Sequence, residues 1–248
     1  MLLLINELNI HPLIHMSVYF ILLISTISLP LILSFDKKLH FYKQWTYVFP
    51  SIVTIGAIYI LFDIYFTKNG IWGFNPRYHS NIIFFNLPLE EWLFFIVVPY
   101  ASIFLHESLV LYFPYLKLNS LTTKAITISL IIICVIIAMY NINKTYTLYI
   151  SSLSAIALLL SIIDKSQIIR NFYITFIVIL IPFIIVNAIL TGSFIDQEAV
   201  WYNNNENLGI RFITIPIEDF GYAFSLILLN LMLIGKLKQR YKNNLQLQ

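Results

Sequence analysis

The chain has 248 residues, 59% of them hydrophobic and only 11% charged, with a mean hydropathy of +0.83. A soluble domain carries about 25% charged residues, so no water-soluble fold can hide this much apolar surface, and the bilayer must be the solvent for much of it. The net charge of +3 and a pI near 8.8 are read first as topology signals, and no nucleic-acid partner is expected.

A membrane span needs about 20 mostly apolar residues. Seven candidates follow in chain order: 13–35, 46–66, 82–113, 124–140, 147–163, 170–190 and 211–235. The first lacks a small-residue cleavage site behind it, so it reads as a span and not as a cleavable signal peptide. The third is too long for one simple helix and is expected to tilt or to run past the membrane surface. The fourth and fifth are short and divide at Asn141-Ile142-Asn143-Lys144. Cys134, the single cysteine, lies in an apolar run and cannot form an internal disulfide or a CxxC metal site, so it reads as a small buried hydrophobe.

With seven spans the loops fall on two sides. One side carries Lys37, Lys38, Lys43, Lys117, Lys124, Lys165, Arg170, Lys236, Lys238, Arg240 and Lys242; the other has only Lys68, Arg77, Lys144 and Arg211. The basic side is expected in the cytoplasm, which puts the N-terminus outside and the C-terminus inside a multi-pass protein of the cell (inner) membrane. The basic tail is then an orientation signal with some attraction to anionic lipid.

The sequence also repeats. Trp72-Gly73-Phe74-Asn75-Pro76-Arg77, followed by Pro88-Leu89-Glu90-Glu91, is echoed by Trp201-Tyr202-Asn203-Asn204-Asn205 and then Pro216-Ile217-Glu218-Asp219. Aligning the two tryptophans gives Trp-to-Pro spacings of 16 and 15. Three spans belong to each copy and one lies between, so the copies run parallel and their acids sit at similar depth. The expected architecture is an all-α polytopic membrane bundle of about seven helices. Residues 1–113 form a first three-helix repeat, 114–146 a connecting span, and 147–248 a second repeat with a basic cytoplasmic tail.

Six acids fall within the spans: Asp63, Glu90, Glu91, Glu107, Glu218 and Asp219. A carboxylate at the bilayer centre costs about 2.5–3.5 kcal/mol on insertion scales. Each Pro-x-acid-acid pair lies seven to nine residues into its expected span, roughly 10–13 Å deep at 1.5 Å per residue. No lysine or arginine shares that depth. Two such carboxyls on one apolar cavity suit a proton donor and acceptor; the structural alternative is helix adhesion by hydrogen bonds. Spacing by four puts Glu90 on a face with Phe94, Glu91 with Phe95, and Glu218 with Tyr222, and ring faces can steady a cation. Pro88 and Pro216 are expected inside spans, where a kink would open space beside the acids.

Trp72, Asn75, Arg77, Trp201, Asn203–Asn205 and Arg211 are expected near the outer surface. There the tryptophans can anchor the interface and the arginines can tune the carboxyls from above. Asp63, near the outer end of span two, reads as hydrated. His106-Glu107 begins a zinc-like motif, but HExxH needs His where Val110 stands, so no metal is expected.

The segments from Trp72 to Tyr78, Pro88 to Phe95, Trp201 to Arg211 and Pro216 to Asp219 resemble the small membrane lycopene β-cyclases. In that family two three-span halves occur either as separate subunits or fused, and this chain looks like the fused form. The resemblance implies cyclisation of the ψ-ends of lycopene, or of a related linear carotene, to β-ionone rings, giving γ-carotene or β-carotene. It implies the catalytic set Glu90, Glu91, Glu218 and Asp219, with Phe94, Phe95, Tyr222, Trp72, Asn75, Arg77, Trp201 and Arg211 around the substrate. Asp219 departs from the family pattern, and its shorter side chain reaches less far than Glu91.

Acid-initiated cyclisation is a redox-neutral isomerisation that needs no cofactor, and it needs water kept from the cation. No GxGxxG follows a strand, which separates the chain from flavin-dependent cyclases. A proton-coupled transporter would use the same carboxyls and stands as the alternative, with a structural membrane subunit behind it. A retinal protein would need a lysine in the last span, and 211–235 has none. Homo-oligomerisation is left open.

Overall fold

The computed structural model describes residues 18–164 and 166–246. Among them are seven α-helices and three short β-pairings. The helices are α1 (Val18–Leu33), α2 (Trp45–Lys68), α3 (Leu89–Tyr112), α4 (Ser120–Tyr140), α5 (Thr145–Ile163), α6 (Ile169–Leu190) and α7 (Ile217–Gln246). Six are long and apolar enough to cross a membrane. The described part of α1 is shorter, 16 residues, about 24 Å at 1.5 Å per residue; the expected start of that span at 13 lies outside the described residues.

Local chemistry sets the helix ends. Asn119 caps α4, its side chain accepting the Thr122 N–H at 2.8 Å. α4 stops at Asn141, and α5 begins at Thr145 after a tight turn. Several serines and threonines within the helices return their hydroxyls to carbonyls one turn back, as Thr54 does to Pro50 and Ser108 to Phe104. Apolar membrane helices thereby carry hydroxyls without leaving donors unpaired.

The strands are where the structure departs from the expected spans. Residues 82–113 are not one helix. A two-residue hairpin joins β2 (Ile83–Phe84) to β3 (Leu87–Pro88), and α3 starts only at Leu89. The same happens before α7, where β5 (Arg211–Phe212) pairs with β6 (Ile215–Pro216). Phe85 and Asn86 have φ of 51° and 67°, as a primed hairpin turn requires. Ile213 has φ of 61°, an uncommon setting for a β-branched residue. Apolar hairpin residues such as Ile82, Phe85 and Ile213 gave the hydropathy of a longer helix.

Pro88 and Pro216 close these hairpins. They precede their helices and kink nothing, contrary to expectation. A proline there costs no hydrogen bond, because the first helical N–H groups have no carbonyl partner within the helix.

A third pairing joins the two copies. β1 (Trp72–Phe74) runs antiparallel to β4 (Val200–Tyr202), with Trp72 opposite Tyr202, Gly73 opposite Trp201, and Phe74 opposite Val200. The hairpins and acids of the two copies are offset by 128 positions, since Ile83, Pro88, Glu90 and Glu91 correspond to Arg211, Pro216, Glu218 and Asp219. The same offset makes Trp201 the counterpart of Gly73, not of Trp72, which corrects the alignment of the tryptophans. The pairing maps onto itself when the copies are exchanged. At its centre the Trp201 ring lies on Gly73: a Cβ there would stand 2.6 Å from a ring carbon. Only glycine fits that approach.

The bundle packs α1 on α3, α5 on α7, and α2 on both α3 and α7, with α4 outermost on α5. One buried cluster, with Tyr100, Phe172 and Leu231, fills the end that carries the basic loops. A second, with Tyr19, Phe66, Trp72 and Tyr146, fills the end closed by the β-pairings.

Candidate active site

Because α3 and α7 begin right after the hairpins, both acidic pairs fall in the first helical turn. They are not seven to nine residues deep, as expected. A helix N-terminus favours carboxylates, since its unpaired N–H groups and the helix dipole both present positive potential. The pairs are nevertheless buried: Glu90 0%, Glu91 7%, Glu218 5% and Asp219 6% exposed.

The two members of each pair point to different partners. Glu90 accepts the Ser80 backbone N–H at 2.5 Å and the Ser80 hydroxyl at 3.0 Å. Glu218 accepts the Leu208 backbone N–H at 2.7 Å and the Thr147 hydroxyl at 2.6 Å. In both copies the backbone donor lies ten residues before the acid. Glu90 and Glu218 thus fasten the loop that leads into each hairpin.

Glu91 and Asp219 turn the other way, onto one cavity of about 60 Å³. Tyr19 on α1 donates its phenol to Glu91 at 2.5 Å. Tyr146 on α5 donates to one oxygen of Asp219 at 2.7 Å, and Tyr202 on β4 donates to the other at 2.9 Å. Burial, then the neighbouring Asp219, raises the Tyr202 phenol well above its ordinary pKa, so it remains a donor. Tyr19 and Tyr146 precede their acids by 72 and 73 residues; that echo between copies was the signal that sequence reading missed.

A third carboxyl joins them. Asp63 on α2 is 1% exposed, not hydrated as expected. One of its oxygens accepts the Tyr222 hydroxyl at 2.8 Å; the other has no partner among the described residues. Trp72, Phe94, Leu190, Val200, Ala223 and Leu226 supply much of the apolar wall, and among the described residues no lysine or arginine lines the cavity. Three carboxyls from three helices therefore face one small apolar space, each with a phenol on it.

The remaining expected residues divide. Trp72, Phe94 and Tyr222 line the cavity, and the Trp72 indole N–H is buried without a partner among the described residues. Phe95, 1% exposed, packs instead with Ile55, Tyr59 and Leu226. Asn75 bonds Gln197, and Arg77 pairs with Asp196 at 3.0 Å on the surface. Arg211 bonds the Thr214 carbonyl and Asn204, and its guanidinium lies 5.7 Å from the centre of the Tyr202 ring. Neither arginine bonds an acid of the two pairs. Trp201 lies on Gly73, 38% exposed. Glu107 pairs with Lys238 at 3.0 Å, far along α3 from Glu91.

A family model described as lycopene cyclase matches residues 16–109 and matches again over 143–237. The chain belongs to the lycopene cyclase family. Each matched segment holds one three-helix copy with its hairpin and acidic pair, and α4 lies between them. No curated protein and no solved structure matches the chain. Membership implies an enzyme of carotenoid cyclisation, embedded in a membrane by its apolar helices and acting on a carotene.

Proposed function

We propose that the chain converts the ψ-ends of lycopene to β-ionone rings by acid-initiated cyclisation, without redox change, and that Glu91 and Asp219 carry the proton chemistry with Asp63 beside them. The observation behind this is the single apolar cavity onto which all three carboxyls open. A carboxyl delivers its proton to the terminal alkene, and the positive charge settles on the tertiary carbon. The neighbouring double bond attacks, closing the six-membered ring, and a base takes a ring proton to leave the β-ring double bond. The proton gained equals the proton lost, so the product is an isomer of the substrate.

The donor pattern supports a division of roles. Both oxygens of Asp219 are held by phenols, which is how an ionised carboxylate is satisfied. Glu91 receives one phenol and is the proton donor in this reading. Asp219 faces the cation and takes the ring proton, and the oxygen of Asp63 that has no partner among the described residues turns a lone pair toward the forming charge. The rings of Trp72 and Phe94 exclude water and steady the cation. Glu90 and Glu218 act as positioning residues through the loops they fasten.

The same reading divides the chain at 1–113, 114–146 and 147–248, with the N-terminus outside and the C-terminus in the cytoplasm. A C-terminal reporter active only on the outer side would refute that orientation. The activity is tested by expression in a lycopene-accumulating bacterium. Pigment should shift to γ-carotene or β-carotene, and isolated membranes should do the same without added nicotinamide or flavin. Unchanged lycopene beside verified membrane-inserted protein would overturn the reading and leave proton-coupled transport, which a liposome assay would then detect.

A further inference from the structure

The cavity that holds the acids is far too small for a carotene. Its 60 Å³ gives room for the few carbons at the reacting end, so the long chain behind them must lie elsewhere. Beside the cavity lies an apolar groove of about 290 Å³ between α1, α3 and α6. Val98, Phe183, Asn187 and Ile227 line both spaces, so the groove and the site adjoin at these four side chains. Along α3 it runs from Val98 to Leu105, seven residues or about 10 Å of helix, directed away from Glu91. Its floor holds Ser102, Phe104 and Ile179, all buried, while Ser25, Leu29 and Pro182 at its rim are exposed. That rim faces the surroundings of an apolar bundle, which is to say lipid.

The helix backbones fit the opening. α1, α3 and α6 each carry an interior proline at the level of the groove: Pro30, Pro99 and Pro182. Each removes a backbone donor and disturbs the turn before it, which keeps neighbouring helices from closing on one another there. Ala101 on the α3 wall adds the narrowest side chain short of glycine. Asn187 at the junction is tied back to the Phe183 carbonyl at 3.0 Å, so its amide is held against α6 and leaves the passage apolar.

We propose that this groove is the polyene subsite and the lateral door of the enzyme: the conjugated chain enters from the bilayer between α1 and α6, lies along α3, and presents its ψ-end through the junction at Phe183 and Asn187 to Glu91 and Asp219. The proposal rests on the cyclase reading above. A second groove on the lipid side, between α2 and α3 and including Ala57 and Gly56, shares no lining residue with the acidic cavity and takes no substrate in this account.

The test compares two substrates in the same membranes: lycopene, and an acyclic terpene hydrocarbon with the same ψ-end but only enough chain to fill the cavity. Wild type should favour lycopene. Ala101→Trp, which fills the groove without altering the cavity lining, should lower the lycopene-to-short-substrate ratio of kcat/KM at least tenfold. Ala57→Trp, in the other groove, should leave that ratio unchanged. The ratio is internal to each preparation, so a smaller amount of folded variant does not shift it. An unchanged ratio in Ala101→Trp, with both substrates spared or both equally impaired, would mean that lipid acyl chains fill the groove, and it overturns the proposal. Wild-type membranes that cyclise neither substrate instead overturn the cyclase reading itself.

Discussion

The two copies of the acidic hairpin share a backbone but not a set of donors. In the first, Glu91 receives one phenol, from Tyr19. In the second, Asp219 receives two, from Tyr146 and Tyr202. The counterpart of Tyr202 at the 128-residue offset is Phe74, which has no hydroxyl to give. A shorter acid with two donors stands opposite a longer acid with one. A duplicated fold has in this way supplied two carboxyls in equivalent places, and changes at single positions have made them unequal, as the proposed donor and acceptor roles require.

The largest break in that comparison is Asp219→Asn. It keeps the size and one acceptor but removes the base, and cyclisation should fall about 10²–10⁴-fold. The residual product should include rings with the double bond elsewhere, because the ring proton is then lost without direction; pigment chromatography checks both. If Asp219→Asn instead gives unchanged β-rings at near-normal rate, the two acids are not divided as argued.

Asp63→Asn should be milder, about tenfold, since in this reading Asp63 steadies the forming charge and transfers no proton. Its Tyr222 partner can still bond the amide oxygen. Initial rates in membranes, normalised to protein, decide this.

Glu90→Gln and Glu218→Gln should cost still less rate, a few-fold. An amide oxygen can accept the Ser80 or Leu208 N–H, and charge-assisted bonds give way to neutral ones at about 1 kcal/mol each. The loss should appear as a lower unfolding temperature in detergent. Rate losses as large as those of Asp219→Asn would place these residues in the chemistry.

Smallest in its effect on rate, Gly73→Ala should act on stability alone. Its new methyl meets the Trp201 ring, and overpacking of that kind costs about 1–3 kcal/mol. Unfolding temperature should drop, while the specific activity of the folded fraction holds.

Much of this was legible in the sequence, and the reasons for the rest are physical. The helices followed from hydropathy because a bilayer forces backbone bonds inward. The paired Pro-x-acid-acid segments marked Glu90, Glu91, Glu218 and Asp219 together, because carboxyls in apolar surroundings are costly and appeared twice. The hairpins did not show, since Ile82–Phe85 and Ile210–Ile213 are as apolar as helix and only their positive φ values set them apart. That error carried the depth of the acids and the kinks at Pro88 and Pro216 with it. Glu90 could not be told from Glu91, because adjacent residues diverge by about 100° and only packing decides which faces the cavity. Asp63 was misjudged because its burial depends on α7 bringing Tyr222 to it, a contact 159 residues away in the chain.

The central claim, that the cavity carboxyls and not their neighbours perform the proton chemistry, is tested most directly by setting Glu91→Gln beside Glu90→Gln in a lycopene-accumulating host. Pigment composition is measured at matched amounts of membrane-inserted protein. Glu91→Gln should leave lycopene uncyclised while Glu90→Gln still forms β-rings. Normal cyclisation by Glu91→Gln, or equal loss in both variants, would contradict the account.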